Sequence, residues 1–256
     1  MQIETAHSPN HDERREEIDM LVLHYTGMED GESALAHMCN PEAKVSAHYM
    51  IWEDGRITRL VDESRRAWHA GVASWQGDCD LNSRSIGIEI VNGGHNVPLD
   101  DGSPPPYAEA QIHALILLSK RTISRYGIPQ TRIVGHSDIA PDRKDDPGEH
   151  FPWARLAAEG IGLYPEADED ADGTSVLPGD RGMLVDSLQR SLIAIGYGLE
   201  ATGEFDEATA HAVNAFQRRF LPQRLGRHGD ALTLAHIAKV QAAFSGVSSG
   251  SSTSSG

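Results

Sequence analysis

The sequence predicts an α/β fold, a mixed central β-sheet flanked by helices, followed by a small C-terminal three-helix domain. Short apolar, β-prone runs alternate with helical patterns as far as Trp153, which is typical of an α/β domain. Beyond Trp153, an acidic stretch rich in Gly and Pro precedes three short helical patterns. We therefore predict an α/β domain at 1–165, an acidic linker at 166–180, a helical domain at 181–244 and a disordered Ser/Gly tail at 245–256.

Composition and charge exclude several classes of function. The chain has 256 residues, of which 39% are hydrophobic and 23% are charged, a globular composition. Its formal net charge of −16 argues against a nucleic-acid partner, because an acidic protein repels phosphate backbones. No apolar run approaches the ~20 residues of a membrane span. Cys39 and Cys79 have no partner at zinc-finger spacing, so we expect two free thiols.

The first half of the α/β domain contains a polar arm, a helix and three strands. Residues 1–19 are poorly patterned, so we expect an arm wrapped on the domain surface. Met20–Tyr25 is continuously apolar, which predicts a buried central strand. Helical patterning covers Glu32–Cys39. An Asp-Gly pair between the alternating runs Ala47–Trp52 and Arg56–Leu60 predicts a hairpin of two strands.

The second half of this domain contains two more strands and its longest helix. Ile86–Val91 is an apolar strand closed by Asn and Gly residues. A helical pattern runs over Tyr107–Tyr126 and ends at Gly127. Thr131–Val134 predicts a further strand, which leads directly into a Gly-His pair.

Three helical patterns follow the linker. They cover Met183–Ile195, which ends at Gly196, then Glu207–Phe220, and finally Asp230–Phe244. Three short helices can close a small core of their own. The Ser/Gly-rich tail that follows contains too little apolar surface to be buried, so we expect it to be disordered.

Three polar residues stand where buried elements end, and their types suit a metal. His24 lies at the end of an apolar strand, where an imidazole without a strong partner would be costly. His136 directly follows the strand Thr131–Val134, and Asp146 lies in a loop that can fold back towards it. Two histidines and one carboxylate are a common ligand set of catalytic zinc. Their wide separation in sequence makes the spacing alone a weak signal.

Several short strings, taken in order, closely resemble the AmpD/AmiD-type N-acetylmuramoyl-L-alanine amidases. The resemblance covers about residues 18–165. The strings that carry it are Leu23-His24-Tyr25-Thr26, Ser46-Ala47-His48-Tyr49, Ala67-Trp68-His69-Ala70-Gly71, Ser85-Ile86-Gly87-Ile88-Glu89, Gly135-His136-Ser137-Asp138-Ile139-Ala140-Pro141, Arg143-Lys144-Asp145-Asp146-Pro147-Gly148 and Phe151-Pro152-Trp153.

The resemblance implies a zinc enzyme and assigns roles to five residues. It implies that His24, His136 and Asp146 bind Zn²⁺, which activates water for attack at neutral pH. Glu89 matches the catalytic acid/base, and Lys144 matches the lysine that steadies the developing oxyanion. The implied substrate is peptidoglycan or a soluble muropeptide. The implied reaction hydrolyses the amide between the lactyl group of N-acetylmuramic acid and L-alanine.

Other residues in these strings have less certain roles. His48, His69 and Asn82 are expected either to line the substrate groove or to orient the metal ligands. Trp68 and Trp75 have the ring systems to stack on a sugar or peptide. Simple packing or local hydrogen bonding remains an equal alternative for each of them.

The C-terminal region resembles a three-helix peptidoglycan-binding domain. The strings that carry this second resemblance are Leu188-Gln189, Gly196-Tyr197, Thr202-Gly203-Glu204-Phe205-Asp206-Glu207-Ala208-Thr209 and Ala215-Phe216-Gln217. The usual second Asp-Gly turn is only loosely present, and a purely structural appendage is the alternative. Because every candidate catalytic residue precedes the linker, a chain ending near Pro165 is expected to fold and to cut small muropeptides.

Two other functions and two locations stay open at this stage. Some relatives of this fold bind peptidoglycan without cutting it, and loss of a metal ligand would mark them, but all three ligands are present. A zinc hydrolase acting on a different amide is the other alternative. The N-terminus shows no secretory signal, which favours the cytoplasm and recycling of wall fragments. A wall-binding domain favours the cell envelope instead.

Overall fold

A six-stranded mixed sheet forms the centre of the molecule. The computed structural model of the chain describes residues 2–250. The strand order is β1-β5-β4-β7-β3-β8, with parallel pairs except for the antiparallel pair β4–β5. A second, two-stranded sheet pairs β2 with β6. The strands are β1 Ile3–Thr5, β2 His11–Glu13, β3 Met20–Tyr25, β4 Tyr49–Ile51, β5 Ile57–Arg59, β6 Arg65–Ala67, β7 Ser85–Ile90 and β8 Ile133–Gly135.

Eight helices accompany the strands in the described part of the chain. Five belong to the α/β domain and three to the C-terminal domain. They are α1 Gly31–Cys39, α2 Leu81–Arg84, α3 Glu109–Tyr126, α4 His136–Ile139, α5 Trp153–Ala158, α6 Met183–Ile195, α7 Glu207–Phe220 and α8 Ala231–Gly250. Within residues 2–250, none of them combines the length and the apolar character needed to cross a membrane.

The predicted strands and the predicted hairpin are confirmed. All six residues of β3 are buried between β7 and β8, as a continuously apolar run requires. The hairpin turns at Gly55, whose φ of +84° favours glycine. The helix predicted to end at Gly127 does so, with that residue left-handed at φ +66°.

Cys39 and Cys79 are free thiols.

The N-terminal arm is more structured than the sequence predicted. Ile3–Thr5 extends the main sheet as a parallel edge strand beside β5, and His11–Glu13 pairs with β6. Arg14 then reaches inward to the carbonyl oxygens of Ser83, Ser85 and Arg65. The arm is therefore held by strand pairing and by one partly buried guanidinium, rather than only wrapping over the surface.

The predicted boundaries of α6 and α7 match the structure, but the tail prediction is wrong at its start. The last helix begins at Ala231 and continues past Phe244 to Gly250, so the tail does not begin at Ser245. The remaining predicted tail, 251–256, lies outside the described residues. Up to Phe244 the final helix is anchored by Ile237, Val240 and Phe244, which all belong to a large buried core.

That core joins the two domains, whereas the sequence suggested that the C-terminal helices close a small core of their own. Trp75 of the α/β domain is 1% exposed and meets Tyr197 and Phe244 edge-on, with ring centroids 5.2 and 6.5 Å apart. A Cβ at Gly196 would lie 2.6 Å from the Trp75 ring, so only glycine allows this approach. The linker region has no helix or strand at 166–175, yet the helices after it pack directly on the α/β domain.

Candidate metal and catalytic centre

The candidate site lies where parallel strands of the sheet end. His24 of β3 and Glu89 of β7 are paired in register, so their side chains project from neighbouring strands on the same face. Gly135 of β8 pairs with Leu23, which places His136 one step beyond the end of the adjacent strand. The carboxyl ends of parallel strands are the usual position of sites in α/β sheets.

The two histidines and the loop aspartate converge on one point. His24 Nδ1 lies 3.0 Å from His136 Nδ1 and 2.9 Å from Asp146 Oδ2. His136 Nδ1 lies 3.1 Å from the same carboxylate oxygen. All three side chains are buried, and together they could hold a metal ion. The backbone fixes the loop as well, because Ser137 N donates to Asp146 O at 2.8 Å.

Each ligand imidazole is oriented through its far nitrogen. His24 Nε2 lies 3.1 Å from His69 Nδ1, and His136 Nε2 donates to Ala70 O at 3.1 Å. His69 and Ala70 are in turn held by Asn82, whose Oδ1 accepts from both of their backbone N–H groups at 3.0 and 2.8 Å. Fixing the far nitrogen leaves each Nδ1 lone pair directed at the same point, as metal-binding histidines require.

The glycine of the β7 motif makes room for this arrangement. A Cβ at Gly87 would lie 2.5 Å from His69 Cγ, so the imidazole rests directly on the strand backbone. His69 Nε2 also lies 3.1 Å from Ser85 Oγ on the same strand. The motif Ser85–Glu89 therefore supports His69 with its first half and presents a carboxylate with its last residue.

The pKa shifts of His24 and Asp146 favour the binding of a cation between the three candidate ligands. Burial and the neighbouring His136 lower the pKa of His24 to about 4, so its imidazole is neutral and its lone pair available at pH 7. Burial alone would raise the pKa of Asp146, but His136 and the hydrogen bonds of both histidines hold that pKa well below its usual range. The carboxyl group is therefore ionised.

Glu89 is a carboxylate without a partner. Its Oε2 is buried and has no hydrogen-bond partner among the described residues. Burial, and secondly the charge of Asp146, raise the pKa of Glu89 well above its ordinary value, while the ammonium of Lys144 lowers it. A buried polar atom left without a partner is costly, and such atoms are frequent where a ligand is meant to bind.

These groups share one cavity of about 260 Å³. Its wall contains the three candidate ligands together with Glu89 and Lys144. The structure thus brings together all five residues to which the sequence assigned metal-binding or catalytic roles. His69 also borders this cavity, although its ring is only slightly exposed.

The remaining sequence candidates lie behind or beside the cavity. His48 is fully buried, where its Nδ1 accepts from Gly87 N at 3.0 Å, which favours the alternative of local hydrogen bonding. Asn82 is buried and occupied with backbone groups, which favours the alternative role of orienting ligands. Trp68 is half-buried and does not border the cavity. Trp75 is buried in the domain interface, which excludes stacking on substrate.

Sequence reasoning missed several residues of the cavity wall. Arg143 donates to Ala70 O at 2.6 Å and to Val72 O, so it fixes the loop that orients His136. Tyr25 and Asn96 also border the cavity, and Asn96 Nδ2 donates to Gly27 O at 3.2 Å. Arg143 stands next to Lys144, and Tyr25 next to His24, in motifs that were already singled out, and these positions were the available signal.

Comparison with known proteins agrees with this geometry. Residues 14–149 match the family model described as N-acetylmuramoyl-L-alanine amidase, and residues 181–223 match a peptidoglycan binding domain model. The chain is 38% identical to the N-acetylmuramoyl-L-alanine amidase AmiD of Escherichia coli over 230 residues, which cover 85% of this chain and 80% of AmiD. It is 35% identical to the 1,6-anhydro-N-acetylmuramyl-L-alanine amidase AmpD of Enterobacter cloacae, over 59% of this chain and 86% of that protein.

Two solved structures are similar over nearly the whole chain. One is AmiD from E. coli in complex with the substrate anhydro-N-acetylmuramic acid-L-Ala-D-γ-Glu-L-Lys, with a TM-score of 0.74, 35% identity and coverage of 92% of this chain and 90% of AmiD. The other is AmpDh3 from Pseudomonas aeruginosa with an anhydromuramic pentapeptide, with a TM-score of 0.71, 35% identity and coverage of 86% and 90%. The chain therefore belongs to the N-acetylmuramoyl-L-alanine amidase family and carries a C-terminal domain of the peptidoglycan-binding type.

Proposed function

We propose that this amidase uses zinc, held by His24, His136 and Asp146, to hydrolyse the amide between the lactyl group of N-acetylmuramic acid and L-alanine. The observation that carries the proposal is the convergence of three metal-type donors beside an unpartnered carboxylate in a single cavity. Retention of all three donors argues against a relative that binds the wall without cutting it.

The donor set fits zinc in chemistry and in size. Two imidazoles and one carboxylate are a recurrent set for catalytic zinc, with a position left open. Zinc–nitrogen distances of about 2.0–2.1 Å in a tetrahedron place its donors about 3.3 Å apart. The donors here lie 2.9 to 3.1 Å apart, so a small adjustment of side chains accommodates the ion.

The protein residues supply the proton transfer and a second positive charge. Zinc, when bound, would act as a Lewis acid that polarises the scissile carbonyl and lowers the pKa of a coordinated water. We propose that the Glu89 carboxylate takes the proton of the attacking water and delivers it to the departing amine of L-alanine. The ammonium of Lys144, in the same cavity wall, stabilises negative charge on the carbonyl oxygen during attack.

Zinc content of ligand variants tests this assignment. We expect one zinc per wild-type chain, and substoichiometric zinc in His24→Ala and Asp146→Ala after dialysis. His37→Ala is the matched control, because His37 borders the cavity on α1 but lies outside the converging donor set. Stoichiometric zinc in both ligand variants would exclude the proposed site.

We further propose that the substrate is a muropeptide of the anhydro type. Two similar structures hold such ligands, the AmiD complex and the AmpDh3 complex. The test is to compare kcat/KM on soluble anhydro-muropeptide and on the reduced, non-anhydro sugar analogue, with products weighed by mass spectrometry. A preference for the non-anhydro compound would contradict this part of the proposal.

For the C-terminal domain we propose attachment to polymeric wall, supported by its match to a peptidoglycan binding domain model. The full-length Glu89→Gln protein, which should bind without cutting, is sedimented with intact sacculi. We expect a fraction to stay bound when excess soluble muropeptide fills the catalytic cavity, because the second attachment is independent. Complete release by the soluble fragment would show that only the cavity binds. Retention would also favour an envelope location over cytoplasmic recycling.

A further inference from the structure

Two consecutive arginines of α7 reach from the C-terminal domain to the segments that carry the candidate metal ligands. Arg219 is 2% exposed and donates from Nη1 to Asp138 Oδ2 at 2.7 Å. Asp138 lies on α4, two residues after His136, and its Oδ2 also accepts from Gly135 N at 2.8 Å. Tyr197 Oη, from the same domain as Arg219, donates to the other oxygen of Asp138 at 3.1 Å.

The guanidinium of Arg219 also holds the strand that leads to the site. Its Nη2 donates to Ile133 O at 3.1 Å, the first residue of β8, and to Leu163 O at 3.3 Å. The charged group stacks over the Trp153 ring with its carbon 4.1 Å from the centroid. One side chain therefore fixes both ends of the segment Ile133–Asp138 that presents His136.

Arg218 makes a similar connection to the loop of Asp146 and Lys144. Its Nη2 lies 2.7 Å from Asp145 Oδ1, and its Nε lies 3.4 Å from Glu149 Oε2. Glu149 in turn meets His95 Nε2 at 3.1 Å, and Tyr25 Oη of the cavity wall lies 3.0 Å from His95 Nδ1. The chain of contacts runs from the second domain to the residue next to His24.

Resting on the zinc site described above, we propose that Arg219 and Arg218 are positioning residues for the catalytic centre. The C-terminal domain then has a second role besides any attachment to the wall: it completes the scaffold of the metal site. The physical reason is that α4 has only four residues, and so short a helix is not stable by itself. Its orientation, and with it the direction of the His136 imidazole, must come from contacts outside the helix.

The test compares zinc affinity and turnover in Arg219→Met and Arg219→Lys with a control. Arg190→Met is matched, because Arg190 pairs with Asp186 on the exposed side of α6 in the same domain. Mutation of a residue that orients a metal ligand typically lowers metal affinity by about 10- to 100-fold. We expect Arg219→Met to raise the zinc Kd about 10-fold or more and to lower kcat on a soluble muropeptide, with KM nearly unchanged. Arg219→Lys should recover part of both, and Arg190→Met should match wild type.

The outcomes separate this inference from the proposed function. Absence of zinc binding by the wild type would contradict the proposed function itself. A folded Arg219→Met protein with wild-type zinc Kd and kcat would contradict only the inference, and would leave the arginines as interface residues. If Arg219→Met does not fold, the zinc Kd of Tyr197→Phe and of Arg218→Met tests the proposal instead. Each should raise the zinc Kd by about 3-fold or more, and unchanged values in both would overturn the proposal.

Discussion

At the scale of single residues, the roles in this site follow from neighbours that the sequence does not show. The convergence of His24, His136 and Asp146 was expected from the resemblance of their motifs to a zinc amidase, and for the two histidines also from their positions at the ends of buried strands, where polar residues need strong partners. For Asn82 the sequence left substrate contact, ligand orientation and local hydrogen bonding open, and ligand orientation is favoured only because the backbone of His69 and Ala70 folds over its amide oxygen. The contact of Arg143 with the loop beside His136 could not be predicted for the same reason, because only the folded chain brings the two together.

Glu89→Gln should separate metal binding from turnover. The amide is nearly isosteric with the carboxylate but cannot accept a proton, so only proton transfer is removed. We expect zinc stoichiometry and thermal stability close to wild type, and kcat lowered by about 10²- to 10⁴-fold. Metal analysis and steady-state kinetics on a soluble muropeptide check this prediction. Loss of zinc in this variant would instead make Glu89 a part of the metal site.

His150 should make the folded state sensitive to acid. Burial lowers its pKa to about 4 from an ordinary value of 6.5, and both ring nitrogens lack hydrogen-bond partners among the described residues. Between pH 6.5 and about 4 the unfolded chain binds a proton here that the folded chain does not, so stability falls as the pH falls. His150→Phe keeps the stacking on Tyr107 and removes the titration. Urea unfolding at several pH values should show a shallower loss of stability for this variant.

At the scale of elements, the length of each helix or strand decided whether the sequence could predict it. The helices α3, α6 and α7 show a full apolar period, and their boundaries were found to within two residues. The four-residue helices α2 and α4 are shorter than the periodicity that would mark them. Edge strand β1 was missed because its burial pattern is half exposed, and its place depends on β5 being available beside it.

Trp75 packs between the two domains, and its removal should lower the free energy of unfolding considerably. It stands in a loop of the amidase domain, donates from Nε1 to Thr131 O at 3.0 Å and packs on Tyr197 and Phe244. We expect Trp75→Ala to lower the free energy of unfolding by about 3–5 kcal/mol, the usual cost of deleting a buried aromatic. Val72→Ala, at a 90% exposed residue of the neighbouring loop, should change it by less than about 0.5 kcal/mol. Urea denaturation of both variants measures the difference.

At the scale of the whole molecule, the sequence pattern carried no information about how the two predicted domains pack together. An acidic stretch rich in Gly and Pro indicates a linker, and that composition says nothing about how the domains it joins pack together. We expected the three C-terminal helices, which include Leu192, to close a small core of their own, apart from Met20 and Val134. They lie instead in one shared cluster, and the ion pair between Arg219 and Asp138 is buried within that interface.

This docking reverses the expectation for a chain that ends near Pro165. Removing the C-terminal domain exposes Trp75, Met20 and Ile139 and takes Arg219 and Tyr197 away from Asp138. Breaking a buried ion pair by loss of one partner alone costs about 3–5 kcal/mol, a large share of the 5–15 kcal/mol that holds a typical domain together. We therefore expect the truncated protein to be less stable and to lose activity even on small soluble muropeptides.

The same docking predicts that the intact protein unfolds in one step. Independently stable domains joined by a flexible linker would give two calorimetric transitions, whereas a shared core makes unfolding cooperative. We expect a single transition in the full-length protein, with equal calorimetric and van't Hoff enthalpies, and the same midpoint when activity on a soluble substrate is followed during heating. Two resolved transitions, with activity persisting through the first, would show that the catalytic domain stands alone. In that case the truncated chain should also keep its activity, so the two experiments check each other.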